Sequence, residues 1–336
     1  MPQSAPDSSD PSVLLQTHFS FAPARVLAAA AQLDVFSALA DEAQSAPQVA
    51  GRIGATERGT RMLLDALTAM QLLAKDSGRY RLRPLAQRYL VRRSPDYLGA
   101  LFESDARWQA WTGLTETIRS GQPPQRVDQQ AKAEAFFPIL VRSLHVAHRG
   151  PAGRLAQALQ VADRKPLAVL DVGCGSGIWG IAVAEAAPHA RVTALDFPRV
   201  LELTREYAAR HGVQDRIEYL AGDLSAVELG NARFDLAILG NIVHSEGEAA
   251  SRALFRRLHR AMRPGGVLAI ADMVPDDTRT GPLYPLLFAL NMLVNTTAGD
   301  TFTLAEYTAW LGEAGFTAVS CCEIGSHSPA ILATRP

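Results

Sequence analysis

The residues with the clearest chemical meaning form a glycine-rich segment near the middle of the chain, Asp171-Val172-Gly173-Cys174-Gly175-Ser176-Gly177. Glycines at this spacing permit a tight turn and let a ligand approach the backbone, and the N-terminus of a following helix attracts a carboxylate or a phosphate. The dinucleotide pattern G-x-G-x-x-G would need a glycine where this chain has Ile178. An acid directly before the loop is poorly placed beside a pyrophosphate, but it suits the ammonium of an amino acid. The segment therefore predicts a ligand with an amino-acid group and no phosphate.

Two further acids follow at the ends of later predicted strands. Asp196 comes about 20 residues after the glycines, a position from which a carboxylate usually holds a ribose diol. Gly222-Asp223-Leu224 follows the third predicted strand, and Asp223 can accept a hydrogen bond from an adenine amino group. An amino acid, a ribose and an adenine without phosphate together describe S-adenosylmethionine (SAM). The expected cofactor contacts are Asp171, Gly173, Gly175, Asp196 and Asp223.

The elements that must position these residues begin near Pro166, where short apolar runs start to alternate with helices. The predicted strands are Leu167–Val172, Arg191–Asp196, Arg216–Leu220, Phe234–Leu239 and Val267–Ala271. The predicted helices are Ile178–Ala186, Val200–His211, Glu246–Met262 and Leu304–Gly312. This alternation is typical of βαβ units and predicts a mostly parallel sheet with both faces covered. Ligands of such sheets bind at the carboxyl ends of the strands, where the acids lie.

The chain before this sheet has a different character. From about Phe21 to Arg93 the pattern predicts short helices and then a hairpin, Leu73–Leu82, around a Ser-Gly turn, which together suggest a winged helix. Between Gly51 and Arg93 there are ten Lys and Arg against three acids, so DNA binding stays open. We favour an oligomerisation module, because the apolar stripes are broad and the rest of the chain is net negative.

The order of these motifs resembles that of the SAM-dependent small-molecule O-methyltransferases of the caffeate and hydroxyindole type and their bacterial natural-product relatives. The matching segments are Phe21–Leu39, Tyr80–Leu82, Leu170–Gly177, Ala194–Asp196, Gly222–Leu224, Asn241–His244 and Arg263–Gly266. The resemblance implies an α/β class I SAM-methyltransferase fold, Rossmann-like, with a mostly parallel seven-stranded sheet. It also implies an N-terminal α-helical winged-helix dimerisation domain and hence a homodimer. It adds Leu224 and Asn241 to the expected cofactor contacts.

In the family that the chain resembles, the histidine after the fourth strand is the general base, which takes the proton of an acceptor hydroxyl. His244 matches that position and is the expected catalytic residue. Its surroundings depart from the family pattern, since Ser245 follows it in place of the usual Asp or Asn. Of two acids that orient the base, one maps to Asp272, shorter than the usual Glu, and the other falls near Thr301. The expected reaction is methyl transfer to a hydroxyl of a small aromatic or polyketide-like molecule.

Two segments are expected to line the acceptor pocket. The family uses the helix that carries His145 for this purpose, so His145 is a candidate acceptor contact or second base. In the segment Pro282–Gly299 four residues recur at helical spacing, and the two asparagines among them share a face one turn apart. These four are Phe288, Asn291, Met292 and Asn295. Aromatic residues that either stack on a planar acceptor or pack in the core are Trp108, Trp111, Phe136 and Phe137.

Composition and termini set the remaining expectations. With 33 basic and 34 acidic residues the net charge is -1, which gives no overall attraction to nucleic acid or anionic lipid. Three cysteines, two of them adjacent, exclude a disulfide framework and a zinc-ligand spacing, and they suit a reduced cytoplasmic location. We find no signal peptide and no apolar stretch long enough to span a membrane, and we expect no metal. The predicted domains are a disordered tail 1–14, a winged-helix dimerisation domain 15–95, a helical connector 96–161 lining the acceptor pocket, and a SAM-binding methyltransferase domain 162–336.

Three other functions stay open beside O-methyl transfer. The altered surroundings of His244 are compatible with methylation of carbon or nitrogen on the same scaffold. A second alternative is an enzyme that binds SAM and uses its positive charge without transferring the methyl group. The third is a SAM-sensing DNA-binding regulator, which rests only on the basic N-terminal zone.

Overall fold

The computed structural model describes residues 10–123 and 130–336, and the side chains of residues 130–138 are outside that description. The chain divides into two compact units, Met1–Asp105 and Ala106–Pro336. This boundary falls inside the segment 96–161 that was predicted as a connector. Within the described residues, every helix is either too short or too polar to cross a bilayer.

The first unit combines short helices with a small antiparallel sheet of strand order β1-β3-β2. Its helices are α1 (Ser12–Phe19), α2 (Phe21–Gln32), α3 (Val35–Ala38), α4 (Ala46–Ile53), α5 (Glu57–Ala69), α6 (Pro84–Tyr89) and α7 (Ala100–Glu103). Its strands are β1 (Gln44–Ser45), β2 (Leu73–Asp76) and β3 (Arg79–Leu82). The hairpin predicted over Leu73–Leu82 is confirmed. The two-residue β1 is too short to show any pattern in the sequence.

Helix α1 begins inside the segment that was predicted to be a disordered tail. The Asp10 carboxylate accepts hydrogen bonds from the backbone N–H of Ser12 at 2.8 Å and from its hydroxyl at 2.7 Å. These bonds satisfy a donor that a helix start would otherwise leave unpaired. Residues 1–9 lie outside the described part, so the structure bears on the tail only from residue 10 onward, and there it shows a helix.

The wing hairpin is fixed to the helices through one polar cluster. Tyr80 on β3 is buried, and its hydroxyl donates to Asp65 Oδ1 on α5 at 2.8 Å. Lys75 on β2 donates to the same oxygen at 2.7 Å. At the turn, Ser77 and Gly78 have φ values of 46° and 76°, the left-handed conformation that a two-residue hairpin loop requires.

The basic residues of the first unit are largely paired with acids. The acids concerned lie mostly outside the window Gly51–Arg93, so counting charge within that window overstates the positive field of the folded unit. The ion-paired basic residues are Arg25, Arg52, Arg61, Lys75, Arg88, Arg92 and Arg93. Each pair is partly solvent-exposed and adds little stability of its own.

The second unit is a seven-stranded sheet with helices on both faces. Its helices are α8 (Ala106–Thr112), α9 (Leu114–Ser120), α10 (Gln130–Ala158), α11 (Ile178–Ala186), α12 (Pro198–Arg210), α13 (Val243–Ala261), α14 (Leu283–Asn295) and α15 (Leu304–Glu313). Its strands are β4 (Ala168–Val172), β5 (Arg191–Asp196), β6 (Ile217–Ala221), β7 (Phe234–Gly240), β8 (Met262–Ala271), β9 (Thr317–Cys322) and β10 (Ala330–Thr334). Two 3₁₀ turns, Val161–Asp163 and Gln214–Arg216, complete it.

The strand order is β6-β5-β4-β7-β8-β10-β9, with only the β8–β10 and β10–β9 pairs antiparallel. The predicted mostly parallel seven-stranded α/β sheet is therefore confirmed. Successive side chains of β4 point to opposite faces, so Val169 joins the core under α10, α11 and α12, and Leu170 joins the core under α13 and α15. The same alternation turns Asp171 toward α11.

The central strands should carry much of the stability of the second unit. Leu268 on β8 is fully buried between sheet and helices, so Leu268→Ala should lower the free energy of unfolding by about 2–5 kcal/mol through lost burial and a cavity. Ile118 on α9 is 61% exposed, and Ile118→Ala should change it by less than about 0.5 kcal/mol. Urea unfolding of the three proteins measures this. Equal effects of the two substitutions would contradict the proposed core.

Candidate active site

The glycine-rich loop joins β4 to α11 in a conformation that only glycine adopts without strain. Gly173, Gly175 and Gly177 have φ values of 61°, 57° and 76°. Space is equally restrictive, because a Cβ on Gly173 would lie 2.4 Å from Ile242 Cδ1 and a Cβ on Gly177 would lie 2.8 Å from Thr204 Cγ2. The loop therefore presents bare backbone at the start of α11, where the helix dipole favours negative charge.

Asp171 stands at the end of β4, directly before this loop, and is almost wholly buried. Its Oδ2 accepts the backbone N–H of Gly180 on α11 at 2.8 Å, while Oδ1 receives no hydrogen bond from the described residues. Burial raises the pKa of the Asp171 carboxyl to about 7, and the nearby charge of Asp196 adds to this. A buried carboxylate oxygen without a donor fits a cationic ligand group placed against it.

Asp196, at the end of β5, ties the neighbouring strand to the same loop. Its two oxygens accept the backbone N–H of Gly175 at 2.9 Å and that of Phe197 at 2.7 Å. Burial raises the pKa of the Asp196 carboxyl, and the two N–H donors oppose that rise. Each oxygen keeps a second lone pair, so the carboxylate can still accept hydrogen bonds from a ligand hydroxyl.

The three other predicted cofactor residues lie around this loop. Asp223 is exposed, and Ser225 donates to its Oδ1 at 2.7 Å from both the backbone N–H and the hydroxyl, which lowers the pKa of the Asp223 carboxyl. The side chain of Leu224 comes within 3.6 Å of the position that a Cβ on Gly173 would take. Asn241, just after β7, has a φ of 61° and is hydrogen-bonded to the ring of His148 at 3.4 Å.

His244 lies in the first turn of α13, just beyond β7, and is buried. Its Nδ1 is 2.6 Å from Oδ1 of Asp272, and its backbone N–H donates to Oδ2 of the same carboxylate at 3.1 Å. Met273 N–H donates to Oδ1 at 2.7 Å. The shorter Asp272 thus reaches the imidazole directly. Because the carboxylate only accepts, Nδ1 carries the hydrogen and Nε2 keeps its lone pair.

The backbone around His244 is held by a second loop. The His244 carbonyl accepts the N–H of Asp300 at 2.9 Å, and a Cβ on Gly299 would lie only 2.6 Å from that carbonyl oxygen. Gly247 interrupts α13 with φ 77° and ψ 170°, and a Cβ there would come within 2.7 Å of the Ala298 oxygen. The helix was predicted to begin at Glu246. It begins at Val243, because the kink at Gly247 lets one further helical turn precede Glu248.

Helix α14 forms one wall beside the imidazole. Phe288 contacts His244 edge to face, with ring centroids 4.9 Å apart, and Tyr284 stacks next to Phe288 at 6.2 Å. About one turn further along the helix, Asn291 Oδ1 accepts from the Trp111 indole N–H at 3.4 Å. Asn295 Nδ2 donates to the Asn291 carbonyl at 2.7 Å, so the predicted shared face is confirmed.

Met292, the remaining predicted residue of this helix, is buried on the side toward Gly299. The aromatic residues Phe136 and Phe137 lie among the residues whose side chains are not described. Across the described residues, no three His, Cys, Asp or Glu side chains are grouped to hold a metal ion.

The two histidines of α10 lie in different places. His145 Nδ1 is 3.0 Å from the Ser176 hydroxyl in the glycine loop, and its ring stacks on Tyr207 of α12. His148 instead lies beside Asn241 and Trp179. Burial, together with the charges of His244 and His327, lowers the pKa of His148 to about 4. The sequence singled out His145, yet His148 is the one whose surroundings include His244.

Two family descriptions match the chain. An O-methyltransferase dimerisation domain matches residues 15–92, and an O-methyltransferase domain matches residues 154–317. The first match lies within the first unit. The second contains the glycine loop, His244, Asp272 and α14.

Individual relatives are similar over nearly their whole length. The tetracenomycin polyketide synthesis 8-O-methyl transferase TcmO of Streptomyces glaucescens is 31% identical, across 97% of this chain and 97% of its own. The 3-hydroxy-5-methyl-1-naphthoate 3-O-methyltransferase of Streptomyces sahachiroi is 31% identical, across 96% of this chain and 94% of its own. Among solved structures, human N-acetylserotonin methyltransferase in complex with SAM has a TM-score of 0.84 at 25% identity, covering 99% of both chains.

The carboxyl of Asp171 should make the ligand-free protein less stable as the pH rises. Its pKa is raised from 3.8 in the unfolded chain to about 7 in the fold, so the folded state holds the proton longer. The stability due to that protonated form is complete below pH 3.8 and is lost as the pH rises through 7. Asp171→Asn stays neutral and avoids this loss, which is of the order of a few kcal/mol.

Urea unfolding at pH 4 and pH 8 tests this expectation. Relative to wild type, Asp171→Asn should gain stability between the two pH values, whereas Asp215→Asn, which alters an exposed carboxyl of the same unit, should not. If the free energies of unfolding of Asp171→Asn and wild type differed by the same amount at both pH values, folding would not raise the pKa of Asp171.

Proposed function

The chain belongs to the O-methyltransferase family and is a SAM-dependent enzyme, and we propose that His244 is its general base and a hydroxyl on a planar aromatic molecule its acceptor. The assignment of His244 as the base rests on the 2.6 Å hydrogen bond between its Nδ1 and the buried Asp272. It fixes the tautomer in which Nε2 can accept a proton. His244 also follows the strand next to β4, whose end carries the glycine loop.

The cofactor would be held by this chain's residues at three points. Asp171 Oδ1, buried without a donor, suits the ammonium of the amino-acid group, and the start of α11 suits its carboxylate. The open lone pairs of Asp196 suit the ribose hydroxyls. Asp223 and Leu224 would contact the adenine, with Asn241 closing the side near His148. Bound there, SAM supplies a methyl group on a positively charged sulfur that is already a good leaving group.

The chain's part in the reaction is positioning and proton removal. Holding the acceptor oxygen in line with the methyl group removes much of the entropic barrier. His244 Nε2 takes the hydroxyl proton as the oxygen attacks, and the imidazolium that results lies against the Asp272 carboxylate, which stabilises it. Phe288 meets this ring edge to face, and its apolar ring would shield the proton transfer from water.

The neighbouring histidine is suited to a different task. Because its pKa is lowered to about 4, His148 stays neutral near pH 7 and does not compete for the acceptor proton. Its hydrogen bond to Asn241 leaves it beside the proposed cofactor contact. We therefore assign His148 to hydrogen bonding near the acceptor and the proton transfer to His244.

The acceptor class is inferred from the wall that α14 forms and from the relatives. Tyr284 and Phe288 offer aromatic surface, and Asn291 offers an amide beside the Trp111 indole. The two bacterial relatives are named for a polyketide and for a hydroxylated naphthoate. A fused aromatic ring with one hydroxyl at His244 and another oxygen near Asn291 fits both observations, and Asn295 and Met292 would shape the far end.

We also propose that two copies associate through the first unit. The dimerisation domain of the family matches residues 15–92, and α1 exposes apolar side chains that a partner would cover. Leu14, Leu15 and Phe19 are 73%, 69% and 66% exposed. A cytoplasmic location suits the three free cysteines, of which Cys321 is exposed.

Replacing the base should slow methyl transfer without weakening cofactor binding. His244→Ala should lower kcat by about 10²–10⁴-fold, because the hydroxyl proton then has no positioned acceptor. Calorimetry with S-adenosylhomocysteine (SAH) should give an affinity close to that of the wild type. His189→Ala is the matched control. His189 lies before β5, at the end of the strands opposite to the site, and contacts the Arg164 carbonyl there. Full activity of His244→Ala would remove the base assignment.

Replacing Asn291 on α14 should weaken binding of the acceptor and leave binding of the cofactor unchanged. Asn291→Leu should raise KM for hydroxynaphthoate acceptors about tenfold through one lost hydrogen bond, and leave the SAH affinity unchanged. Leu283→Ala, a 70% exposed position on the same helix, is the control. NMR of the product identifies the methylated oxygen. Methylation on carbon or nitrogen, or equal KM values for both variants, would contradict the proposed acceptor site.

A further inference from the structure

A chain of polar contacts runs from the glycine loop to the protein surface on the α12 side. It starts at Ser176, which is 3% exposed and lies between two glycines of the loop. The Ser176 hydroxyl is 3.0 Å from His145 Nδ1. The other ring nitrogen of His145, Nε2, is 3.2 Å from Nε2 of His211, and His211 Nδ1 is 2.7 Å from Glu185 Oε1.

The rings in this chain have little room to move. His145 is 6% exposed and stacks on Tyr207, with ring centroids 3.7 Å apart and planes inclined by 20°. The His145 and His211 rings meet at 64°, edge to face. Helices α10 and α11 contribute His145 and Glu185, and His211 directly follows α12, so the contacts link the loop to the packing of these three helices.

The possible proton positions follow from the distances. Glu185 only accepts, so His211 Nδ1 carries a hydrogen, and one hydrogen lies between the two Nε2 atoms. With both rings neutral, His145 donates to His211 and accepts the Ser176 hydroxyl hydrogen.

We propose that His145 is a positioning residue for the cofactor loop: its imidazole holds the Ser176 hydroxyl, and His211 and Glu185 hold the imidazole in turn. The inference rests on the proposed cofactor site, because Ser176 lies in the loop that would receive the amino-acid carboxylate. Without the imidazole nitrogens Ser176 loses its anchor, and part of the binding free energy of the cofactor goes into ordering the loop.

The charged groups around the two rings are engaged in contacts of their own. Glu185 on α11 is the carboxylate in contact with His211, and it is 47% exposed. On α12, Glu206 is ion-paired with Arg210 and also with Arg142 of α10, so its charge is already offset. Burial raises the pKa of Tyr207, so the stacked ring stays neutral through the acid range.

Two variants separate positioning from general structural support. His145→Phe keeps the ring that stacks on Tyr207 and removes both nitrogens. Ser176→Ala removes the other partner of the same hydrogen bond. SAH affinity is measured by calorimetry at pH 8 on the full-length protein without acceptor, for the two single variants and the double variant.

At pH 8, His145→Phe should bind SAH about tenfold more weakly than wild type, the effect of one lost hydrogen bond. Ser176→Ala should weaken SAH binding to a similar extent, and the double variant should bind no more weakly than either single variant, because all three lack the same bond. If His145→Phe does not fold, Ser176→Ala alone provides the test. Unchanged SAH affinity in His145→Phe or in Ser176→Ala, or effects that add in the double variant, would overturn the proposal. Failure of the wild type to bind SAH would instead contradict the proposed function itself.

Discussion

Parallel strands end at one edge of a sheet, and this constraint brings together the groups that we propose for cofactor binding and proton removal. The strands β4, β5, β7 and β8 are neighbours, and all run in the same direction. Asp171 and Asp196 end the first two, His244 follows the third and Asp272 follows the fourth. A cofactor that touches the ends of β4 and β5 therefore lies next to a base that follows β7, without any long loop to bring them together.

Three carboxylates at this edge differ in how many hydrogen-bond donors they meet, and the differences suit the roles that we propose for them. Asp272 receives three hydrogen bonds, two from His244 and one from Met273, as suits a carboxylate that would stabilise a charged imidazole. Asp196 receives two backbone N–H groups and keeps lone pairs for a ligand. Asp171 receives one, and burial raises its pKa to about 7. Of the three, the acid that we propose for the ammonium of the cofactor thus has the fewest hydrogen-bond partners.

The sequence predicts the sheet and the glycine-rich loop at its strand ends well, because strand runs and glycine spacing are local features. The predicted family, enzyme class and cofactor are confirmed, as is the seven-stranded α/β fold. Which neighbour each side of a long helix contacts is not a local feature, and the sequence did not show that His145 and His148 meet different parts of the site. The two residues differ by less than one turn of α10, and only packing against α11 and α12 decides which one meets the loop. Likewise, whether the short Asp272 could reach His244 depended on where β8 ends relative to α13.

A crystal structure with SAH and a hydroxylated aromatic acceptor would show which histidine meets the reacting oxygen. We expect that oxygen within about 3 Å of His244 Nε2, with the amino group of SAH against Asp171. An acceptor hydroxyl bonded instead to His145 or His148, with His244 turned away, would contradict it.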